Sequence, residues 1–179
     1  MIEVKDLIPK YSEELIQNRI RELGEQISKD YKNEDLICVC VLKGAVTFFT
    51  DLVRNIDNKN LMIDFLRASS YGSGISSSTV VKILKDTELD VSGKHVLFVE
   101  DVIDSGITMH HIMQMFKDRN AKSVKLCALI DKKERREVDI KIDYPGFVLD
   151  KGFIVGYGLD LADRYRQLTA IYEAVVEEH

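Results

Sequence analysis

HVLFVEDVIDSGITM, His95 to Met109, is the stretch that decides the fold. His95 to Val99 is an apolar run short enough for a buried strand. Two carboxylates, Glu100 and Asp101, close it, and Asp104 follows, leading into Ser105, Gly106, Ile107 and Thr108. From Met109 the apolar spacing becomes helical, through Ile112, Met113 and Phe116. The order is therefore strand, acidic pair, hydroxyl-rich turn, helix. In a parallel α/β sheet such a turn lies at the carboxyl end of a strand, where these folds bind ligands.

The residue types suggest what is bound. A turn of small residues entering a helix offers backbone N–H groups, short hydroxyls and the positive end of the helix dipole, which together suit a phosphate. Gly106 lets the backbone approach an anion closely. Three carboxylates would repel that anion unless they hold a hard divalent cation, ribose hydroxyls or a proton. The combination reads as a site for a phosphorylated sugar with magnesium. Helix capping by Asp104 or Ser105 is the plainer alternative, but it leaves Glu100 and Asp101 unexplained. The G-x-x-x-x-G-K-[ST] spacing of nucleotide-triphosphate loops is absent.

Working outward, 179 residues suit one α/β domain with a substantial core. A hydrophobic share of 45% and a charged share of 31% are ordinary for a globular protein. The formal charge of −5 argues against a nucleic-acid partner. No signal pattern or membrane-length apolar run occurs, so no membrane partner is expected. Cys38, Cys40 and Cys127 lie in apolar runs without Cys-x-x-Cys spacing, which reads as buried, reduced thiols in a cytoplasmic protein.

Tyr11 to Tyr31 carries a helical apolar stripe, and Leu36 to Leu42 (LICVCVL) is a fully apolar strand ending at Lys43-Gly44. A helix of sequence AVTFFTDLVRNI follows. Leu61–Arg67 and Thr79–Leu84 read as strands around a Ser/Gly-rich lid at residues 69–78. Ser123–Ile130 is a further strand, and Phe147–Leu149 and Phe153–Val155 are short ones. The chain is expected to close with a helix from Leu161 to Val176. His110 and His111 read as surface or capping residues.

VEDVIDSGIT, residues 99–108, resembles the phosphoribosyl-diphosphate (PRPP) motif of type I phosphoribosyltransferases. From about Val41 to Arg166 the chain is similar to the hypoxanthine-guanine branch of that family. The resemblance implies an α/β fold: a twisted, mainly parallel sheet flanked by helices, with a small hood built from the termini. One domain over residues 1–179 is expected, with a core at about 36–150 and the hood at about 1–10 and 145–179. The implied reaction joins a 6-oxopurine to PRPP, releasing pyrophosphate and a purine nucleoside monophosphate, IMP or GMP. A homodimer or homotetramer is implied as well.

The same resemblance distributes the roles. Glu100 and Asp101 hold ribose hydroxyls, directly or through Mg2+, and residues 104–108 cradle the 5′-phosphate. Asp104 takes or shares the proton of the purine's imidazole ring. Lys43, Gly44 and Arg166 serve the pyrophosphate, and Asp160 joins Glu100 and Asp101 as a metal-linked acid. The Leu42–Lys43 peptide bond can be cis in relatives, a costly arrangement outside proline. Lys132 matches the donor to the 6-oxo group, Phe153 the aromatic stacked on the base, and Ile154 the backbone at its edge. Ser70-Tyr71 matches the mobile active-site loop, whose closure excludes water.

Two departures touch the base pocket. Asp150-Lys151-Gly152 stands where relatives often carry a Pro-Asp pair and a charge, and Leu161 stands where an aromatic is common. Two rival readings share the motif. A PRPP-sensing regulator would want a basic stripe, which the acidic total does not favour. A transferase for xanthine or a pyrimidine is disfavoured by the Lys132 and Phe153 segments.

Overall fold

LICVCV at Leu36–Val41 forms strand β2, and every one of its side chains is buried. A strand apolar on both faces needs cover on both sides, which is the condition of a parallel sheet inside an α/β sandwich. The computed structural model describes residues 2–71 and 80–178. Strand β1 (Ile2–Tyr11) and helix α1 (Glu13–Asp30) come before β2. Helix α2 (Val46–Val53), strands β3 (Leu61–Tyr71), β4 (Val80–Lys85) and β5 (His95–Ile103), and helix α3 (Ile107–Asp118) follow it. Strands β6 (Ser123–Lys132), β7 (Tyr144–Leu149), β8 (Ile154–Val155) and β9 (Ile171–Glu178) complete the order.

The main sheet runs β4-β3-β2-β5-β6-β7, parallel except for the antiparallel edge strand β4. Successive strand residues face opposite sides, and the core divides accordingly. Cys38, Cys40, Leu97, Val99, Cys127 and Leu129 pack with α1 and α2. Ile37, Val39, Val96, Phe98 and Leu126 pack with Met109, Ile112, Met113 and Phe116 of α3. Helix α1 starts on Ser12, whose Oγ accepts from the Leu15 N–H at 3.2 Å. The three cysteines are free and buried, as their apolar setting implies. His110 and His111 lie exposed on α3.

A second sheet, β1-β9-β8, is antiparallel and is built from the two ends of the chain. Here the expected closing helix is corrected. Residues 161–170 form turns, and Ile171–Glu178 is a strand laddered against β1. Ala162, Asp163 and Tyr165 hold left-handed backbone, with φ of 51°, 61° and 73°, which interrupts any helix. The β-branched residues of 171–176 then find a full-length partner in β1, and that tertiary partner outweighs local periodicity. Pro9 is accommodated beside a register shift in β1. Among the described residues, no helix is long and apolar enough to cross a membrane.

Candidate active site

Strand β5 runs beyond Val99 to Ile103, so the acidic pair lies within the strand rather than after it. The turn follows directly. Gly106 takes φ 84°, and a side chain there would meet the Val138 carbonyl at 3.0 Å. Glycine is required on both counts. Helix α3 begins at Ile107 with no side-chain cap. The N–H groups of its first turn, at Thr108 and Met109, have no partner inside the helix and are available to an anion. Ser105 Oγ lies 3.4 Å from the Ile107 nitrogen, and the Ser105 carbonyl accepts from the N–H groups of Glu137 and Val138 at 3.0 and 3.1 Å.

Asp104 does not cap α3, so the plainer alternative holds at most for Ser105, whose Oγ faces the Ile107 N–H. Its Oδ1 is buried without a hydrogen-bond partner, and its Oδ2 lies 3.9 Å from Lys132 Nζ. Lys132, at the end of β6, is only 9% exposed and also pairs with Glu134 Oε2 at 3.3 Å. The Lys132 ammonium holds the Glu134 carboxyl below its usual range, and the nearby Gly152 N–H, in the segment leading to Phe153, acts in the same direction. Phe153 is 40% exposed, whereas Ile154 beside it is buried. An open aromatic and a buried lysine are the two kinds of group that a flat ring carrying an acceptor would use.

Glu100 and Asp101 are neighbours on β5. Glu100 Oε2 is buried and unpartnered. Burial, then the charge of Asp101, pushes the Glu100 carboxyl well above the ordinary range. Burial also raises Asp101, to about 6, against the lowering effects of backbone N–H groups and Arg166. Asp160 adds to the rise. Among the described residues, no three His, Cys, Asp or Glu side chains converge to hold a metal unaided. The donors still fit magnesium, which takes one or two carboxylates and completes its shell with water and substrate phosphates. The orphaned Glu100 oxygen is one such donor.

The Leu42–Lys43 peptide is cis. A side chain at Gly44 would put its Cβ 1.8 Å from Asp101 Oδ2, so this loop lies directly on the carboxylate. Lys43 Nζ reaches Asp163 Oδ1 at 3.1 Å. Arg166 Nη2 meets Asp160 Oδ1 at 2.7 Å and Asp163 Oδ1 at 3.0 Å, while Nη1 donates to the Gly158 carbonyl at 2.7 Å. Lys43, Gly44, Asp101, Asp160 and Arg166 are thus brought together from three distant parts of the chain. Ser70 and Tyr71 are not in a loop. Their backbones pair with Val81 and Val80 as the last rungs of the β3–β4 hairpin. Residues 72–78 of the expected lid lie outside the described residues.

Three residues escaped the sequence reading. Arg136 and Glu134 sit in a charge run that resembles solvated surface, and Asp163 sits in a segment read as helix. Arg136 Nε donates to the Asp104 carbonyl at 2.8 Å, and its Nη2 lies 2.6 Å from Asp131 Oδ1. No periodicity marks such contacts. The Gly-rich GYG at 156–158 was the one available hint of a turn in place of a helix start.

A family model described as phosphoribosyl transferase domain matches residues 11–161. The chain is 45% identical over 160 residues to a hypoxanthine-guanine phosphoribosyltransferase of Bacillus subtilis, covering 89% of this chain and 88% of that one. It is 49% identical over 160 residues to a bifunctional protein TilS/HprT of Listeria monocytogenes, covering 89% of this chain and only 24% of the relative, so it spans about a quarter of that protein. Among solved structures, a hypoxanthine-guanine phosphoribosyltransferase from Bacillus anthracis superposes with a TM-score of 0.87 at 43% identity, covering 98% of this chain and 100% of the other.

Proposed function

This chain belongs to the phosphoribosyl transferase family, and on that premise we propose that it transfers the 5-phosphoribosyl group of PRPP to hypoxanthine or guanine in purine salvage. The products are IMP or GMP and pyrophosphate. The observation that carries this reading is the position of Asp104, with one buried oxygen free and the other 3.9 Å from Lys132, beside an anion-binding helix start.

Residues 104–108 hold the 5′-phosphate, through short side chains and the open N–H groups of α3. Glu100 and Asp101 face the ribose hydroxyls. Carboxylates from among Glu100, Asp101 and Asp160 would hold Mg2+, which would supply positive charge where the leaving group becomes anionic. Lys43 and Arg166 bring two further cations to the pyrophosphate, and the Gly44 backbone lets it approach Asp101. On the base side, Lys132 donates to the 6-oxo group, Phe153 stacks on the ring, and the Ile154 backbone meets its edge. Discrimination against 6-amino purines follows, because they leave the lysine unpaired. Asp104 accepts the proton released from the imidazole ring as the new bond forms.

Ser70 and Tyr71, at the end of the β3–β4 hairpin, shield the reacting sugar from water. The chain acts as one domain, core about 36–150 and hood about 1–10 and 145–179, in a cytoplasmic homodimer or homotetramer. The test is nucleotide formation from PRPP with a panel of purines and pyrimidines, with and without magnesium. Turnover of hypoxanthine or guanine, lost after chelation, is expected. A pyrimidine product, or full turnover in excess chelator, overturns it.

A further inference from the structure

Pairing between β5 and β6 ends at Ile103 and Asp131. The next residues on the two strands are Asp104 and Lys132, the groups to which the proton transfer and the 6-oxo contact are assigned. Beyond the last rung, no backbone ladder between these strands fixes their spacing. Arg136 occupies that position. Its Nε donates to the Asp104 carbonyl at 2.8 Å, and its Nη2 lies 3.1 Å from the Ile103 carbonyl and 3.1 Å from the Lys132 carbonyl. The same Nη2 meets Asp131 Oδ1 at 2.6 Å.

We propose that Arg136 is a positioning residue for the transfer reaction, its guanidinium setting the phosphate turn and the Lys132 strand end at a fixed spacing. The inference rests on the reading of the site as a phosphoribosyltransferase centre. Arg136 and Asp131 have side chains only 16% and 9% exposed, so the pair is shielded from water and neither member is easily left alone. A planar guanidinium can meet acceptors on two strands at once, whereas an ammonium is a single point charge. The neighbouring backbone acts in the same direction, because the Glu137 and Val138 N–H groups bind the Ser105 carbonyl.

The experiment compares the full chain with Arg136→Lys and Arg136→Ala. It measures KM for PRPP and hypoxanthine, kcat, melting temperature, and amide hydrogen exchange at residues 104–108 without ligand. Arg136→Lys should regain most of the melting temperature lost in Arg136→Ala. It should not regain the PRPP KM, and kcat/KM should stay down roughly 10²-fold, the scale of a small misplacement in a site. Exchange at 104–108 should quicken in both variants. A lysine variant that restores KM together with stability overturns the proposal, as does unchanged exchange at 104–108. Should the unaltered chain make no nucleotide from PRPP, the transfer reading falls. The exchange arm needs no substrate and still decides whether Arg136 holds the turn.

Discussion

The turn at 104–108 and the hood turn at 156–168, both proposed above to handle anions, are held in different ways. The first is local. A strand, one left-handed glycine and a helix start place its N–H groups, and all three are contiguous. The second is a set of long-range contacts. Left-handed Ala162, Asp163 and Tyr165 form a turn that Arg166 and Lys43 tie down through Asp160, Asp163 and the Gly158 carbonyl. A site can thus combine a rigid half fixed by backbone geometry with an adjustable half fixed by exposed charge.

Breaking the rigid half should cost most. Asp104→Asn keeps the shape, and since α3 is not capped by Asp104, folding should be untouched. Turnover should fall roughly 10²–10⁴-fold, the scale of a lost general base. Steady-state kinetics with hypoxanthine checks this, and near-normal turnover places the base elsewhere. Next comes the join between the halves. Gly44→Ala inserts a methyl where Asp101 Oδ2 stands, 1.8 Å away, so loop or carboxylate must move. A loss in kcat/KM of roughly 10²-fold is expected, with pyrophosphate affinity falling in parallel by isothermal titration.

The acidic pair gives a pH-dependent test. The folded-state pKa of Asp101, about 6, lies above its ordinary value of 3.8. The folded chain therefore binds the proton more tightly, and the ligand-free protein gains stability as pH falls from above 6 toward 4. Asp101→Asn removes that dependence. Its melting temperature should exceed that of the unaltered chain at pH 7, with the gap closing toward pH 4, while activity is lost. An equal gap at both pH values refutes the assignment. The smallest effect is expected at the adjustable half. Lys43 and Asp163 have side chains 52% and 67% exposed, so Asp163→Asn should barely move the denaturant unfolding midpoint, and high salt should erase what shift there is.

The same contrast explains what could be read in the chain. Strands β2, β5 and β6, helix α3 and the turn between them follow apolar periodicity and one glycine, all local signals. The hood was foreseen only as a place where the termini meet. Strand β9 depends on β1, more than 160 positions earlier in the ladder Ile2–Glu178, and no window over Leu161–Val176 reveals that partner. Glu100, Asp101, Asp104, Lys132 and Arg166 are singled out by motif and resemblance. Arg136 is not, because its work is done on backbone carbonyls, which leave no mark in sequence.

The three thiols on the sheet give the chain a built-in probe of opening. Cys38, Cys40 and Cys127 are fully buried, and burial pushes the thiols of Cys38 and Cys40 up to about 12 and that of Cys127 well above the usual value. Alkylating reagents need a thiolate in contact with water. Each cysteine can therefore be labelled only while β2 or β6 is exposed, and labelling rates read residue by residue would time the exposure of the central strands. Cys40, with Glu100 and Asp101 also raising its pKa, stands closest to the chemistry, so protection of that thiol by a bound substrate would report directly on occupancy of the acidic pair.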